Sequence, residues 1–326
     1  MRTASILSTG AYLPKRVLTN AELEKMVDTS DEWIMSRTGI RERRIADKDE
    51  FTSDMGARAA EQALERGGID PKEIDLILVG TCTPDTIFPS TACHIQGKIG
   101  ATRAAAFDLQ AACSGFLYAL VTANQFIASG AYKTILVIGA EKLSSIVNWQ
   151  DRNTCVLFGD GAGAVILRHR PGARGLLSFD LGADGAQTEI LSVPAGGCRV
   201  PLTDEVLKGG GQYLQMAGKE VYRYAVSAMN RSAEDCLEKA GIKPADLRWI
   251  IPHQANYRII ESVSQRLNVS LEHFIIHLDR YGNTSAACLP IALHETSVAG
   301  QLAQGDLVLM VSFGGGLTWA GAVLEW

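Results

Sequence analysis

Short, unbroken apolar runs alternate along the chain with longer stretches of helical character. Leu76–Val79, Thr134–Gly139, Trp249–Ile251 and Asp306–Val311 are such runs, and a run without a polar alternate position fits a strand buried on both faces of a sheet. The pattern also repeats. Gly68-Ile69-Asp70-Pro71 ahead of Leu76–Val79 returns 173 residues later as Gly241-Ile242-Lys243-Pro244 ahead of Trp249–Ile251, and Thr134–Gly139 returns after 172 as Asp306–Val311. Between them the polar turns Ala111–Ser114 and Tyr281–Thr284, offset by 170 so that Cys113 falls opposite Asn283, each precede a helix-like stretch. Nearly equal offsets in the same order predict a duplicated domain. Ser114–Ser129 has apolar residues on nearly every face, which predicts a helix enclosed between two sheets. The expected fold is α/β, two duplicated halves about a pseudo-twofold axis in a five-layer α/β/α/β/α arrangement. The halves are expected at 1–171 and 219–326, and the glycine-rich, weakly periodic segment 172–218 as an excursion serving as lid or tunnel wall.

Composition narrows the class. The chain has 326 residues, 47% hydrophobic and 21% charged, which argues against disorder and fibrous structure. No apolar run approaches the roughly 18 residues of a membrane span, and Met1–Arg16 has too short an apolar core for a secretory signal, so a cytoplasmic protein is expected. A net charge of -5 leaves no basic footprint for nucleic acid, so an anionic partner has to meet local arginines and lysines. The seven cysteines are scattered, without a C-x-x-C pair or a Cys/His cluster of zinc spacing; no metal site is expected, and one thiol is a candidate nucleophile.

That candidate is Cys113, which follows the strand-like Ala105–Leu109 and precedes the enclosed helix. A helix N-terminus there is expected to lower the thiol pKa towards or below neutrality. His253 directly follows Trp249–Ile251, and Asn283 lies in the turn matched to Cys113, so all three fall at carboxyl ends of strands, where α/β sheets gather reactive groups. Cys, His and Asn also describe a papain-like protease, so residue types alone leave the reaction open. A thiolate made by a helix end frees His253 and Asn283 to donate hydrogen bonds to a substrate oxygen, and Gly314–Gly316 allows backbone N–H groups to approach a thioester oxygen.

Glu32–Ile34 with Arg37–Arg43, then Cys113-Ser114-Gly115, Phe158–Ala162, His253–Asn256, Tyr281–Ala286 and Phe313–Gly316 resemble, in order and over nearly the whole chain, the motifs of the beta-ketoacyl-acyl-carrier-protein synthase III family, initiating condensing enzymes of the thiolase fold. The resemblance implies transfer of an acyl-CoA primer to Cys113 and decarboxylative condensation with malonyl-acyl-carrier protein. His253 and Asn283 would stabilise the enolate, and the N–H groups of Cys113 and Gly315 would form the oxyanion hole. Trp33 and Arg152 would sandwich the adenine of coenzyme A, Arg37 would meet its phosphates and Asn256 its pantetheine arm. Phe158 would line the acyl pocket and Phe88 would reach into that of a partner subunit in a homodimer. Arg223, Arg258 and Arg266 would dock the carrier protein. No cofactor is implied, coenzyme A being carried by the substrate. Another thiolase-fold synthase, of type III polyketide or 3-hydroxy-3-methylglutaryl-CoA synthase kind, and a silent carrier-binding scaffold are the alternatives. The stretch Ala195–Gly211 agrees least with the family pattern, which leaves the primer open.

Gly159–Gly163 imitates a dinucleotide loop but runs into the strand-like Ala164–Leu167 where a helix should open. His94, His169, His273, His277 and His294, with Cys82, Cys93, Cys155 and Cys288, are expected to be structural.

Overall fold

The computed structural model describes residues 3–326; Met1 and Arg2, the start of the segment weighed as a signal, lie outside the described residues. The first half runs β1 (Ser5–Tyr12), β2 (Arg16–Thr19), α1 (Asn20–Leu23), α2 (Asp31–Thr38), β3 (Glu42–Ile45), α3 (Thr52–Gly67), β4 (Leu76–Gly80), α4 (Thr91–Ile99), β5 (Ala105–Leu109), α5 (Gly115–Ser129), β6 (Thr134–Glu141) and β7 (Gly161–Arg168). The second runs β8 (Leu176–Ala183), β9 (Leu191–Ser192), α6 (Asp204–Lys208), β10 (Gln215–Met216), α7 (Gly218–Ala240), β11 (Trp249–Pro252), α8 (Tyr257–Leu267), α9 (Leu278–Tyr281), α10 (Cys288–Val298), β12 (Leu307–Gly314) and β13 (Thr318–Glu325).

One sheet has the order β1-β7-β6-β4-β5 and the other β8-β13-β12-β11, extended beyond β11 by a bridge from Ile250 to Phe274. The orders superpose strand for strand, with β4/β11 and β6/β12 starting 173 residues apart and β1/β8 171 apart. This corrects the segment taken as an excursion from residue 172: its first strand, β8, is the counterpart of β1 and pairs along β13. The second half therefore starts at β8, and the irregular insertion is confined to residues 184–217.

Strand alternation explains the five layers. Leu76 and Leu78 of β4 join the core between the sheets, while Ile77 and Val79 join the core under α3 and α4. On β12, Val308 and Met310 face the central core, and Leu309 and Val311 face the core of α7 and α8. Both faces of each strand are covered, so no polar position interrupts the runs. The central layer is α5 and α10, each entered through a 3₁₀ turn whose first residue has a left-handed backbone: Ala112 at φ 45° and Ser285 at φ 49°. These residues are 173 apart, so the structural counterpart of Cys113 is Ala286. The match to Asn283 was three residues out because polar character marked the turn and backbone conformation defines it. The layers meet closely at β6, where a Cβ on Gly139 would stand 2.2 Å from the carbonyl oxygen of Ala286.

Candidate active site

Cys113 sits in the 3₁₀ turn joining β5 to α5 and is 9% exposed. The end of β12 packs against its backbone: a Cβ on Gly314 would lie 2.6 Å from the Cys113 nitrogen, so only glycine fits there. His253 leaves the end of β11, its N–H donating to Val311 O at 2.8 Å, and its Nδ1 lies 3.0 Å from Cys288 Sγ at the start of α10. Asn283 is fixed by backbone pairing with the segment ahead of β7, donating to Leu157 O at 2.8 Å and accepting from Gly159 N–H at 3.0 Å. Its Oδ1 accepts the Ser285 N–H at 2.8 Å, which leaves the side-chain NH₂ as the free, donating end. Cys113, His253, Asn283, Phe158, Asn256 and Gly315 border one cavity of about 470 Å³ whose remaining wall is mostly apolar.

Burial governs the charges here. It pushes His253 down to about 4, so the imidazole is neutral at pH 7. It pushes the Cys113 thiol up to about 12, with the Glu141 carboxylate raising it further against the opposing Ser285 hydroxyl and a backbone N–H. Burial thus opposes the pull of the α5 N-terminus that the sequence led one to expect.

At the mouth, Trp33 on α2 is flanked by Arg152 at 5.4 Å and Arg37 at 6.0 Å from its ring centre. An adenine between Trp33 and Arg152 needs two van der Waals spacings, about 7 Å. Arg152 also donates to Asp28 O at 2.8 Å, so a flat ring would fit between it and Trp33 only with Arg152 swung outward. Asn256 caps α8, accepting the Arg258 N–H at 2.9 Å and donating to Arg37 O at 3.0 Å, so it ties the mouth to the α2 turn. Under the role that the motif resemblance implies, Arg152→Ala is expected to raise the KM for acyl-CoA by about 3- to 30-fold, the range of a lost cation–π contact, with kcat nearly unchanged. Steady-state kinetics against acyl-CoA concentration check this.

Phe88 does not line the cavity of its own chain; with Ile87 it is almost fully solvent-facing, at 85% and 86% exposure. Of the docking arginines, Arg266 is held by Glu234 at 2.8 and 3.0 Å, Arg258 donates to Ser36 O at 2.9 Å, and Arg223 lies 5.3 Å over Tyr224. Arg266 thus has its charge met by Glu234, while Arg258 and Arg223 have no carboxylate partner among the described residues. Gly159–Gly163 does lead into a strand, β7. Two cysteines taken as packing residues are not simply that: Cys288 touches His253, and Cys82 borders the cavity with its thiol 3.3 Å from Glu141. Glu141, Ser285 and Cys288 were all missed from sequence. Glu141 ends β6, so the strand-end rule that found Cys113 and His253 could have found it.

A buried thiol, a neutral imidazole and a carboxamide that border one largely apolar cavity, in a doubled five-layer fold, define a thiolase-fold condensing enzyme. Family profiles described as 3-oxoacyl-acyl-carrier-protein (ACP) synthase III match residues 107–185, and those of its C-terminal part match residues 237–326. The chain is 52% identical to the beta-ketoacyl-acyl-carrier-protein synthase III of Roseiflexus sp. (strain RS-1), over 99% of this chain and 98% of that one. The crystal structure of 3-oxoacyl-acyl-carrier-protein synthase III from Aquifex aeolicus VF5 superposes with a TM-score of 0.92 at 48% identity, covering 99% of this chain and 100% of the other. A priming beta-ketosynthase of the R1128 polyketide pathway superposes equally well, TM-score 0.92, at 37% identity over 99% of this chain and 96% of that one. The chain belongs to the beta-ketoacyl-acyl-carrier-protein synthase III family.

Proposed function

We propose that the enzyme initiates type II fatty-acid synthesis, transferring an acyl-CoA primer to Cys113 and condensing it with malonyl-acyl-carrier protein to give 3-oxoacyl-acyl-carrier protein, CO₂ and CoA. The observation that carries this reading is the convergence of Cys113, His253 and Asn283, from three separate segments of both halves, on one apolar cavity. A thiol that attacks a thioester forms a new C–S bond and releases CoA, and the cavity shields the acyl-enzyme from water. Cys288 is a buried thiol whose sulfur accepts the Gln254 N–H. Its own S–H is then free to donate to His253 Nδ1, which leaves Nε2–H for the substrate. Nε2–H and the Asn283 NH₂ are two neutral donors suited to the thioester oxygen that becomes an enolate when malonyl loses CO₂. The N–H groups of Cys113 and Gly315 serve the acyl oxygen in the same way.

Coenzyme A enters as part of the substrate, with Trp33, Arg37 and Arg152 holding its nucleotide end, and no resident cofactor is needed. The working unit in this reading is a homodimer. Strand β5 is an edge strand with Phe107 37% exposed, and Ile87 and Phe88 project nearby, an apolar edge that a second copy would cover. No helix among the described residues is long and apolar enough to cross a membrane, and the soluble substrates suit a cytoplasmic enzyme.

The deciding experiment is intact-protein mass spectrometry after mixing with acetyl-CoA, followed by peptide mapping. One acetyl group on Cys113 is expected; no added mass from acetyl-CoA or from a panel of longer and branched acyl-CoA primers indicates a scaffold, and an acyl group on any of the other six cysteines overturns the assignment. For the carrier, docking is assigned to the α7–α8 face with Arg223, Arg258 and Arg266. Arg266→Glu, which sets a like charge against Glu234, is expected to raise the KM for malonyl-carrier protein about 3- to 10-fold and to flatten its salt dependence, while acylation by acetyl-CoA stays within twofold. Equal losses in both assays count against docking there.

A further inference from the structure

A carboxamide can serve a developing enolate only if its NH₂ end faces the cavity. The backbone of Asn283 is fixed by Leu157 and Gly159, but backbone pairing does not choose between the two ends of the side chain. One bond does. The Ser285 N–H, which can only donate, lies 2.8 Å from Asn283 Oδ1 and so claims the oxygen. No other hydrogen bond holds the Asn283 side chain among the described residues. Ser285 makes this bond from a left-handed backbone at φ 49°, a conformation costly for any residue but glycine and kept only where the surroundings over-determine it.

The side chain of Ser285 supplies that restraint, donating to Glu141 Oε1 at 3.0 Å. Glu141 is fully buried at the end of β6 and makes no salt bridge among the described residues. Even the adjacent Lys142 turns its ammonium away, to the carbonyl oxygens of Asp47, Lys48 and Glu50. Donors surround the carboxylate instead. Its Oε2 accepts the N–H groups of Cys82 and Thr83, both at 3.1 Å, and the hydroxyls of Thr83 at 2.6 Å and Thr81 at 3.2 Å. The Thr83 hydroxyl has to donate here, because its oxygen already accepts the Lys142 N–H at 2.8 Å. A carboxylate buried without a counter-ion is costly, and the reaction as described so far does not use it. What it does is join three segments: the turn after β4, the end of β6 and the turn that opens α10. The matching turn ahead of α5 is tied differently, Thr318 donating to Ala111 O at 2.8 Å.

We propose that Glu141 is a positioning residue for the condensation half-reaction: through Ser285 it fixes the Asn283 carboxamide with its NH₂ towards the cavity. Glu141 itself touches no substrate. The inference rests on Asn283 being an enolate donor, as in the function proposed above. Acylation of Cys113 does not use Asn283 in that reading, so loosening the carboxamide slows decarboxylation of the malonyl group and spares acyl transfer.

The test measures steady-state decarboxylation of malonyl-carrier protein and single-turnover acetyl transfer from acetyl-CoA to Cys113. It compares the wild type, Ser285→Ala, Glu141→Gln, Asn283→Ala and the double variant Ser285→Ala/Asn283→Ala. Ser285→Ala removes the linking hydroxyl. Glu141→Gln keeps the shape but, with its oxygen on the Thr81–Thr83 side, sets an NH₂ against that hydroxyl. Both single variants are expected to lower kcat for decarboxylation about tenfold, a loss of orientation rather than of the donor itself. The KM for malonyl-carrier protein should stay within twofold and acylation within threefold. In the Asn283→Ala background, Ser285→Ala should cost less than a further threefold, because it acts through a carboxamide that is no longer there. A further loss above threefold in that background, equal losses in both half-reactions, or single-variant decarboxylation within threefold of wild type overturns the proposal. If Glu141→Gln does not fold, Ser285→Ala and the double variant carry the test. An Asn283→Ala enzyme that decarboxylates like the wild type refutes the enolate role proposed above; a slowed Asn283→Ala beside an unaffected Ser285→Ala refutes only the positioning.

Discussion

Cys113→Ser is expected to take up no acyl group from acetyl-CoA and to lose at least about 10⁴-fold in kcat/KM for condensation, in keeping with removal of a nucleophile from a group that acts as a unit. The size of the loss follows from the cavity. A serine hydroxyl there is still harder to deprotonate than the thiol, already pushed up to about 12 by burial. Shape is almost preserved, so acyl-CoA should still bind with a dissociation constant close to that of the wild type. The measurement pairs mass spectrometry of the acyl adduct with binding of a non-transferable acyl-CoA analogue. Wild-type-like acylation of the serine variant would move the nucleophile elsewhere.

The second large effect separates the half-reactions. His253→Ala and Asn283→Ala are each expected to lower malonyl decarboxylation by about 10²- to 10³-fold, the usual consequence of removing one preorganised donor. Each should leave acylation of Cys113 within about tenfold. Neutral His253 is central to the contrast. Being pushed down to about 4, it has no charge to lose between pH 5 and 8, so its contribution to condensation should be flat there. If His253→Ala abolished acylation as completely as condensation, the imidazole would be the thiol's base and the logic of a cysteine protease would apply.

Strands covered on both faces were legible because nothing polar interrupts them: Leu76–Gly80 and Leu307–Gly314 are buried or nearly so throughout. The strand β8 was not, since it lies at a sheet edge and carries Ser178 and Asp180 within an otherwise apolar stretch, and only its pairing with β13 reveals it. Cys113 and His253 could be read from strand ends and from motif; Asn283 follows α9 rather than a strand, so the strand-end expectation fails for it and the motif alone marked it. The state of the thiol could not be read. Desolvation depends on groups brought from β6, β12 and the α10 turn, hundreds of residues apart in some pairs, and local sequence around Cys113 registers only the helix that follows. Glu141, at a strand end after TILVIGA, was open to the strand-end rule, but its burial under the Thr81–Thr83 turn and Ser285 shows only in the fold.

The pairing of β8 with β13 also sets an order for synthesis on the ribosome. The first sheet has all its strands once Arg168 has been made, whereas β8 ends at Ala183 and its partner β13 ends at Glu325, 142 residues later. At about 5–20 residues per second that interval is roughly 7–28 s. Through it, β8 emerges as a strand without a neighbour on either side, beside a first sheet whose strands are already complete, and the chain relies on its last-made strand to seal the second sheet.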